Sequence, residues 1–200
     1  MRFIGSLMAL VAFANTSLLA QSSTAAGTAG TMGATAAAAP VAPDVGQIAP
    51  DFTLPWADAS GTRAAPVKLS DLRGKVVVIA FYPQDRTTGC TAEMTKFRDE
   101  YKTLFGDGVV VLPISGDSLS SHASWAKDAN FPFALVSDVG LKVAELYGSK
   151  PASASANARA TRNTFVVGKD GRITARMMNF RALIETSYVT LAEEIAKAKQ

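Results

Sequence analysis

The strongest constraint on the fold is the run Lys75-Val76-Val77-Val78-Ile79-Ala80-Phe81-Tyr82, apolar after its first residue and rich in β-branched side chains. A strand with one wet face alternates apolar and polar residues. An unbroken run fits a central strand covered on both faces, the usual setting of parallel strands. Val109-Val110-Val111-Leu112-Pro113-Ile114, after Gly106-Asp107-Gly108, repeats the pattern. Between the two runs, Cys90, Met94, Phe97, Tyr101 and Leu104 form one stripe at helical spacing. Two buried strands joined through an amphipathic helix require a layered α/β core.

The remaining elements extend that core. Asp51-Phe52-Thr53-Leu54-Pro55 and Val67-Lys68-Leu69 read as short strands ahead of the tight turn Ser70-Asp71-Leu72-Arg73-Gly74. Ser121 to Ala129 reads as helix, Ala134 to Val136 as strand, and Val139 to Tyr147 as helix stopped by Gly148. Thr164 to Val167 and Ile173 to Arg176 flank Gly168-Lys169-Asp170-Gly171, a hairpin signal. A last helix places Ile184, Tyr188, Leu191 and Ile195 on one face, with a Glu193–Lys197 pair outside. The order β-α-β-α-β-β-α, parallel units first and an antiparallel hairpin last, predicts a thioredoxin-like α/β fold with a central mixed sheet flanked by helices.

Ahead of this domain, residues 1–20 have the form of a secretory signal. Met1-Arg2 is a short positive start, Phe3 to Ala14 is an uncharged apolar run, and small residues offer cleavage after Ala14 or Ala20. The run is short for a membrane span, and Gln21 stands where a lipidated cysteine would be, so no stable membrane anchor is expected. Residues 21–43 carry no charge and are mostly Ala, Thr, Gly and Ser, a composition that predicts a flexible leader. Residues 44–200 then form one domain, large enough to bury about two-thirds of its unfolded surface. The chain is expected to be exported, periplasmic or secreted. Its net charge of +3 comes from 20 basic and 17 acidic residues scattered among one another, which argues against nucleic-acid binding.

Cys90 is the only cysteine among 200 residues. It follows the polar turn Pro83-Gln84-Asp85-Arg86-Thr87-Thr88-Gly89 and opens the striped helix. Unpaired N–H groups and the partial positive charge of a helix N-terminus ease ionisation of a thiol placed there. A lone thiol forms no internal disulfide, and with a single histidine the chain is poorly supplied for zinc. Two readings stand at this point. Cys90 is a candidate nucleophile, or it is a buried small hydrophobe sharing a stripe with Met94 and Phe97.

The surrounding residues tip the balance toward chemistry. The spacing Pro83-x-x-x-Thr87-x-x-Cys90, with Phe81-Tyr82-Pro83 and Gly89-Cys90-Thr91, resembles the active-site pattern of peroxiredoxins, the alkyl hydroperoxide reductase and thiol-specific antioxidant family. Within the family it resembles the branch of PrxQ and the bacterioferritin-comigratory proteins. Ala49-Pro50-Asp51-Phe52, Leu69-Ser70-Asp71, Ile114-Ser115-Gly116-Asp117, Leu135-Val136-Ser137-Asp138 and Arg162-Asn163-Thr164-Phe165-Val166-Val167 match in the same order, over nearly all of residues 48–175. Many members of the branch carry a resolving cysteine five residues after the first; position 95 here is Thr, so the resemblance is to a single-cysteine form. The stretch Ser149 to Ala160 is also richer in Ala and Ser than the branch.

The resemblance implies a peroxidase with no cofactor and no metal. Cys90 would attack a peroxide oxygen. Thr87 would turn its hydroxyl toward thiolate and peroxide, and Arg162 would hold both with its guanidinium. Pro83 would shield the sulfur from water, and Glu93 would hold the arginine. On the residues alone, Glu93 is equally a first-turn acid facing the helix dipole, and Thr87 and Thr88 are equally plain N-caps. The partners implied are a peroxide and an external thiol reductant, a thioredoxin-like protein or a small thiol. The chain is expected as a monomer or weak homodimer.

Magnitudes rank these contributions. A thiol of pKa about 8.5 is roughly 3% ionised at pH 7, and one of pKa about 6 roughly 90%, a gain of about 30-fold. The weaker thiolate loses about 13-fold in nucleophilicity, leaving a net gain of only about two- to threefold. Donors aimed at the breaking O–O bond, each worth about 3 kcal/mol, carry the larger share.

Two other functions stay open: a thiol–disulfide exchanger, disfavoured without a second cysteine, and a non-catalytic thioredoxin-like binding module. His122, in a Ser-rich helix start, is expected to be solvated. Trp56 and Trp125 are expected to pack. Asp117 and Asp138 suffice as turn or cap residues, and Asp85 and Arg86 receive no role.

Overall fold

The computed structural model describes residues 41–152 and 157–200. The expected signal segment, most of the leader and the middle of the Ser149–Ala160 stretch lie outside them. In chain order the strands are β1 (Thr53–Leu54), β2 (Trp56–Asp58), β3 (Gly61–Thr62) and β4 (Val67–Lys68). A 3-10 turn (Leu69–Leu72) leads to β5 (Val76–Phe81), α1 (Thr88–Asp99), α2 (Tyr101–Leu104), β6 (Val109–Ser115) and α3 (Leu119–Ala129). β7 (Leu135–Ser137), α4 (Lys142–Leu146), β8 (Thr164–Val167), β9 (Ile173–Met177) and α5 (Glu185–Lys199) complete the order.

Every residue of β5 is buried, as its composition requires. It is the third strand from one edge of a seven-stranded mixed sheet ordered β3-β2-β7-β6-β5-β8-β9. β5, β6 and β7 run parallel, β8 pairs antiparallel with β5, and β9 pairs antiparallel with β8 at the edge. This is the thioredoxin-like α/β arrangement. Successive side chains of β5 feed opposite layers, following the period of two. Val76, Val78 and Ala80 pack with Phe97, Trp125, Tyr188, Leu191 and Ile195, and so with α1, α3 and α5. Val77, Ile79 and Phe81 pack with Phe52, Val143, Ala144, Tyr147 and Phe165, on the α4 side.

Local differences from the sequence expectations have physical causes. The α1 stripe is interrupted at Glu100, whose backbone leaves the helical region before α2 resumes. α4 begins only at Lys142 because Leu141 sits in the left-handed region (φ 57°) and Asp138 accepts bonds from the N–H groups of Val143 (3.2 Å) and Ala144 (2.7 Å). The predicted Glu193–Lys197 pair is replaced by Lys197 Nζ on Glu194 Oε1 at 2.7 Å, an i,i+3 neighbour. Ile184 is the exposed residue before α5 instead of part of its buried face.

Candidate active site

The sheet register sets the site. Phe81, the last residue of β5, donates its N–H to the carbonyl of Asn163, while Ala80 lies opposite Thr164. Arg162 therefore enters just before β8, beside the carboxyl end of β5, where the Pro83–Thr87 turn begins. Phe180 N–H, from the segment after β9, bonds the Arg162 carbonyl at 2.7 Å and fixes that backbone from the other side. Residues 72 apart in sequence are thus brought together: Arg162 Nη2 donates to Cys90 Sγ at 3.2 Å. The other terminal nitrogen, Nη1, pairs with Glu93 Oε2.

Cys90 is the third residue of α1, after the N-cap Thr87. Thr91 N–H makes the first helical bond, to the Thr87 carbonyl at 2.7 Å. The Thr87 hydroxyl does not cap the helix; it donates to the Gln84 carbonyl at 3.1 Å. The N–H groups of Gly89 and Cys90 consequently lack a side-chain cap, and the field at the sulfur is that of an uncapped helix start. Gly89 has a further task. A Cβ built there would stand 3.3 Å from Arg162 Nη2, so glycine is what lets the guanidinium lie against the first turn. Gly89→Ala is expected to stabilise the fold slightly through helix propensity while slowing peroxide attack about three- to tenfold as the fork is pushed back. Single-turnover kinetics and a thermal melt check both signs, and an unchanged rate would contradict the close-approach role.

Burial distinguishes the three charged or reactive groups. Cys90 and Glu93 are 0% exposed, and the Arg162 side chain is 16% exposed. Glu93 lies beyond the first turn of α1 and faces the core, bonded to Arg162, and is not a surface acid answering the helix dipole. Burial raises the Glu93 pKa to about 7 even though Arg162 pulls it down. Burial also works against the charge on Arg162, but Glu93 and Cys90 outweigh it and its pKa is raised. The asymmetry follows from solvation: the carboxylate loses all its water, and the guanidinium keeps some.

Pro83 is half-buried at the head of the turn and, with Gln84, lines an open cleft toward Gly116, Asp117 and Arg159. No hydrogen bond joins Thr87 to the sulfur. The five sequence-derived candidates thus divide: Cys90, Arg162 and Glu93 form one bonded cluster, and Thr87 and Pro83 frame it from the turn.

His122 departs from expectation. It is 0% exposed, not solvated, and its Nδ1 lies 2.9 Å from Asp85 Oδ2. A polar side chain in a Ser-rich stretch reads as surface unless its partner is visible, and that partner lies 37 residues away. Among the described residues no cluster of His, Cys, Asp and Glu could hold a metal ion.

The AhpC/TSA family pattern matches residues 45–176. The chain belongs to the AhpC/TSA family. A peroxiredoxin of Coxiella burnetii, named there as a putative Bcp protein, is 42% identical over 135 residues, covering 66% of this chain and 86% of that one. Peroxiredoxin Bcp of Bacillus subtilis is 35% identical over 133 residues, 65% of this chain and 82% of that one. The chain spans 64% of the longer chloroplastic peroxiredoxin Q of Sedum lineare, at 41% identity and over 63% of its own length. Among solved structures, peroxidoxin BcpB of Mycobacterium tuberculosis superposes with a TM-score of 0.67 at 27% identity, covering 78% of this chain and 97% of that one. PrxQ of Xylella fastidiosa, at 24% identity, shares the fold with a TM-score of 0.65 over 79% of this chain and 99% of that one. This peroxiredoxin is a thiol peroxidase with a single cysteine, Cys90.

Proposed function

We propose that this peroxiredoxin reduces hydrogen peroxide or organic hydroperoxides in an exported compartment by a one-cysteine cycle. The observation that carries the proposal is the guanidinium of Arg162 bridging Cys90 Sγ and Glu93. The thiolate sulfur attacks one peroxide oxygen, the O–O bond breaks, and the departing alkoxide or hydroxide takes a proton to leave as alcohol or water. Sulfur is oxidised to the sulfenic acid and the peroxide is reduced by two electrons. Arg162 and the first N–H groups of α1 supply positive edges where charge develops on the oxygens, and the Thr87 hydroxyl adds one only if it turns away from the Gln84 carbonyl. Pro83 offers no N–H and narrows access for water.

With Thr95 where a resolving cysteine would stand, the sulfenic acid is reduced from outside. An external thiol condenses with it, releasing water and leaving a mixed disulfide, which a second thiol cleaves. The donor is a thioredoxin-like protein or a small thiol, and the enzyme acts as a monomer or weak homodimer. Export is supported by the Met1-Arg2 start and the apolar Phe3–Ala14 run. N-terminal sequencing of the expressed protein is expected to begin at Asn15 or Gln21.

Weighing the reduced protein after one equivalent of hydrogen peroxide tests the chemistry. The expected result is one added oxygen on Cys90, removed by dithiothreitol and absent in Cys90→Ser. An unchanged mass with a thiol still open to alkylation would instead indicate a binding module.

A further inference from the structure

We propose that His122 is a positioning residue for peroxide reduction, acting through Asp85 to pin the Pro83–Thr87 turn above Cys90. The turn carries Pro83 and Thr87 and ends where α1 begins, so its conformation sets what surrounds the sulfur. Its midpoint is fastened to α3. The Asp85 carboxylate accepts from Tyr82 Oη (2.7 Å), from Ser121 Oγ (2.6 Å) and from His122 Nδ1, which lies 2.9 and 3.1 Å from its two oxygens. The Asp85 backbone N–H donates to Asp117 Oδ2 at 2.9 Å, tying the turn to the loop after β6 as well. The next residue, Arg86, reaches the same helix: its Nη2 donates to Ser124 Oγ (2.9 Å) and Asp128 Oδ2 (2.6 Å).

Two features show that this anchorage holds a conformation the turn would not keep alone. Arg86 has φ 62°, a left-handed backbone that a non-glycine residue retains only when its surroundings enforce it. Asp85 and His122 are also both buried, with side chains 3% and 0% exposed, in a position where a charged acid needs its full set of donors. Burial works against the Asp85 carboxylate, yet bonds from His122, Ser121 and Tyr82 outweigh it and hold its pKa below the ordinary value. Since a carboxylate only accepts, His122 Nδ1 carries the proton that points at it. His122 Nε2 has no partner. The histidine therefore works through one ring nitrogen, and what the site requires is an N–H at the Nδ1 position.

That requirement is testable with isosteres in the full chain. An asparagine amide places its N–H near the Nδ1 position, a glutamine amide near Nε2, and leucine places none. Two rates are measured: single-turnover oxidation of Cys90 by hydrogen peroxide, and alkylation of Cys90 by iodoacetamide, which reports thiolate and access without the peroxide-orienting turn. His122→Leu and His122→Gln are expected to slow peroxide oxidation at least about tenfold, with alkylation changed less than about threefold. His122→Asn is expected to recover most of the peroxide rate. Wild-type peroxide oxidation in His122→Leu, a parallel fall of both rates, or an Asn variant no better than Leu would each overturn the proposal. Should His122→Leu fail to fold, Tyr82→Phe and Ser121→Ala each remove one donor to Asp85 and leave the histidine in place. Each is expected to slow the peroxide step alone by about two- to fivefold, and normal rates in both would equally overturn it.

Discussion

Arg162→Lys is expected to slow the reaction of Cys90 with hydrogen peroxide by roughly 100-fold or more, the scale of one lost transition-state donor. Lysine is the informative replacement because it keeps the charge. Glu93 is not left as an unpaired buried anion, a defect that would itself cost about 3–5 kcal/mol. What lysine lacks is the fork. Arg162 touches Sγ with one nitrogen at 3.2 Å and Glu93 with the other, and a single ammonium cannot hold both partners while presenting a second N–H to a peroxide oxygen. The thiolate fraction, read from thiolate absorbance across pH, is expected to change far less than the rate. Even full ionisation returns only about two- to threefold at neutral pH once the lower nucleophilicity is counted. If the loss of rate follows the loss of thiolate one for one, Arg162 serves only to ionise the sulfur and the orienting role fails.

The parts of this arrangement differ in how visible they are in the sequence, for reasons that lie in the chain itself. β5 and β6 are legible because strands buried on both faces must be apolar throughout, and Val76–Phe81 and Val109–Ile114 have no other economical fold. The β8–β9 hairpin announces itself through Gly168-Lys169-Asp170-Gly171, where Gly171 takes φ 76°. β2 and β3 escape notice: with three and two residues they are too short to show a period, and only pairing makes them strands, Trp56 and Ala57 of β2 with β7 and Gly61 and Thr62 of β3 with β2. The Cys90–Arg162 contact has no local signal. Only the family resemblance links two residues that the β5–β8 register brings together. The Asp85–His122 pair was illegible for a related reason. Each residue alone reads as polar surface, and burial becomes tolerable only because the two meet across 37 positions.

Glu93 supplies the second large effect, and it has opposite signs for activity and stability. Its pKa lies near 7 in the fold against an ordinary 4.5. Between these values the folded protein binds more protons than the unfolded chain, so this group's contribution is fully present below pH 4.5 and is lost as pH rises through 7. The shift corresponds to at most about 3 kcal/mol. Glu93→Gln removes that slope: relative to the variant, the native protein is expected to lose stability steadily as pH rises through this window, which denaturant titration at several pH values will show. Activity runs the other way. Above pH 7 the ionised carboxylate holds Nη1 of Arg162 and keeps the guanidinium turned to Cys90; below it, a neutral carboxyl holds the fork no better than an amide. At equal thiolate fraction, the native enzyme is therefore expected to outpace Glu93→Gln by about tenfold above pH 8, on the scale of the 1.5–3 kcal/mol of a charged hydrogen bond, and to converge on it near pH 5.5. A ratio of rates that stays constant across that range would remove Glu93 from the mechanism. A native stability that climbs relative to the variant as pH rises would show instead that the ion pair outweighs the lost hydration. The buried acid thus weakens the fold in the pH range where it orients the arginine, a trade expected where a charged group is kept for its effect on a neighbour and not for its own stability.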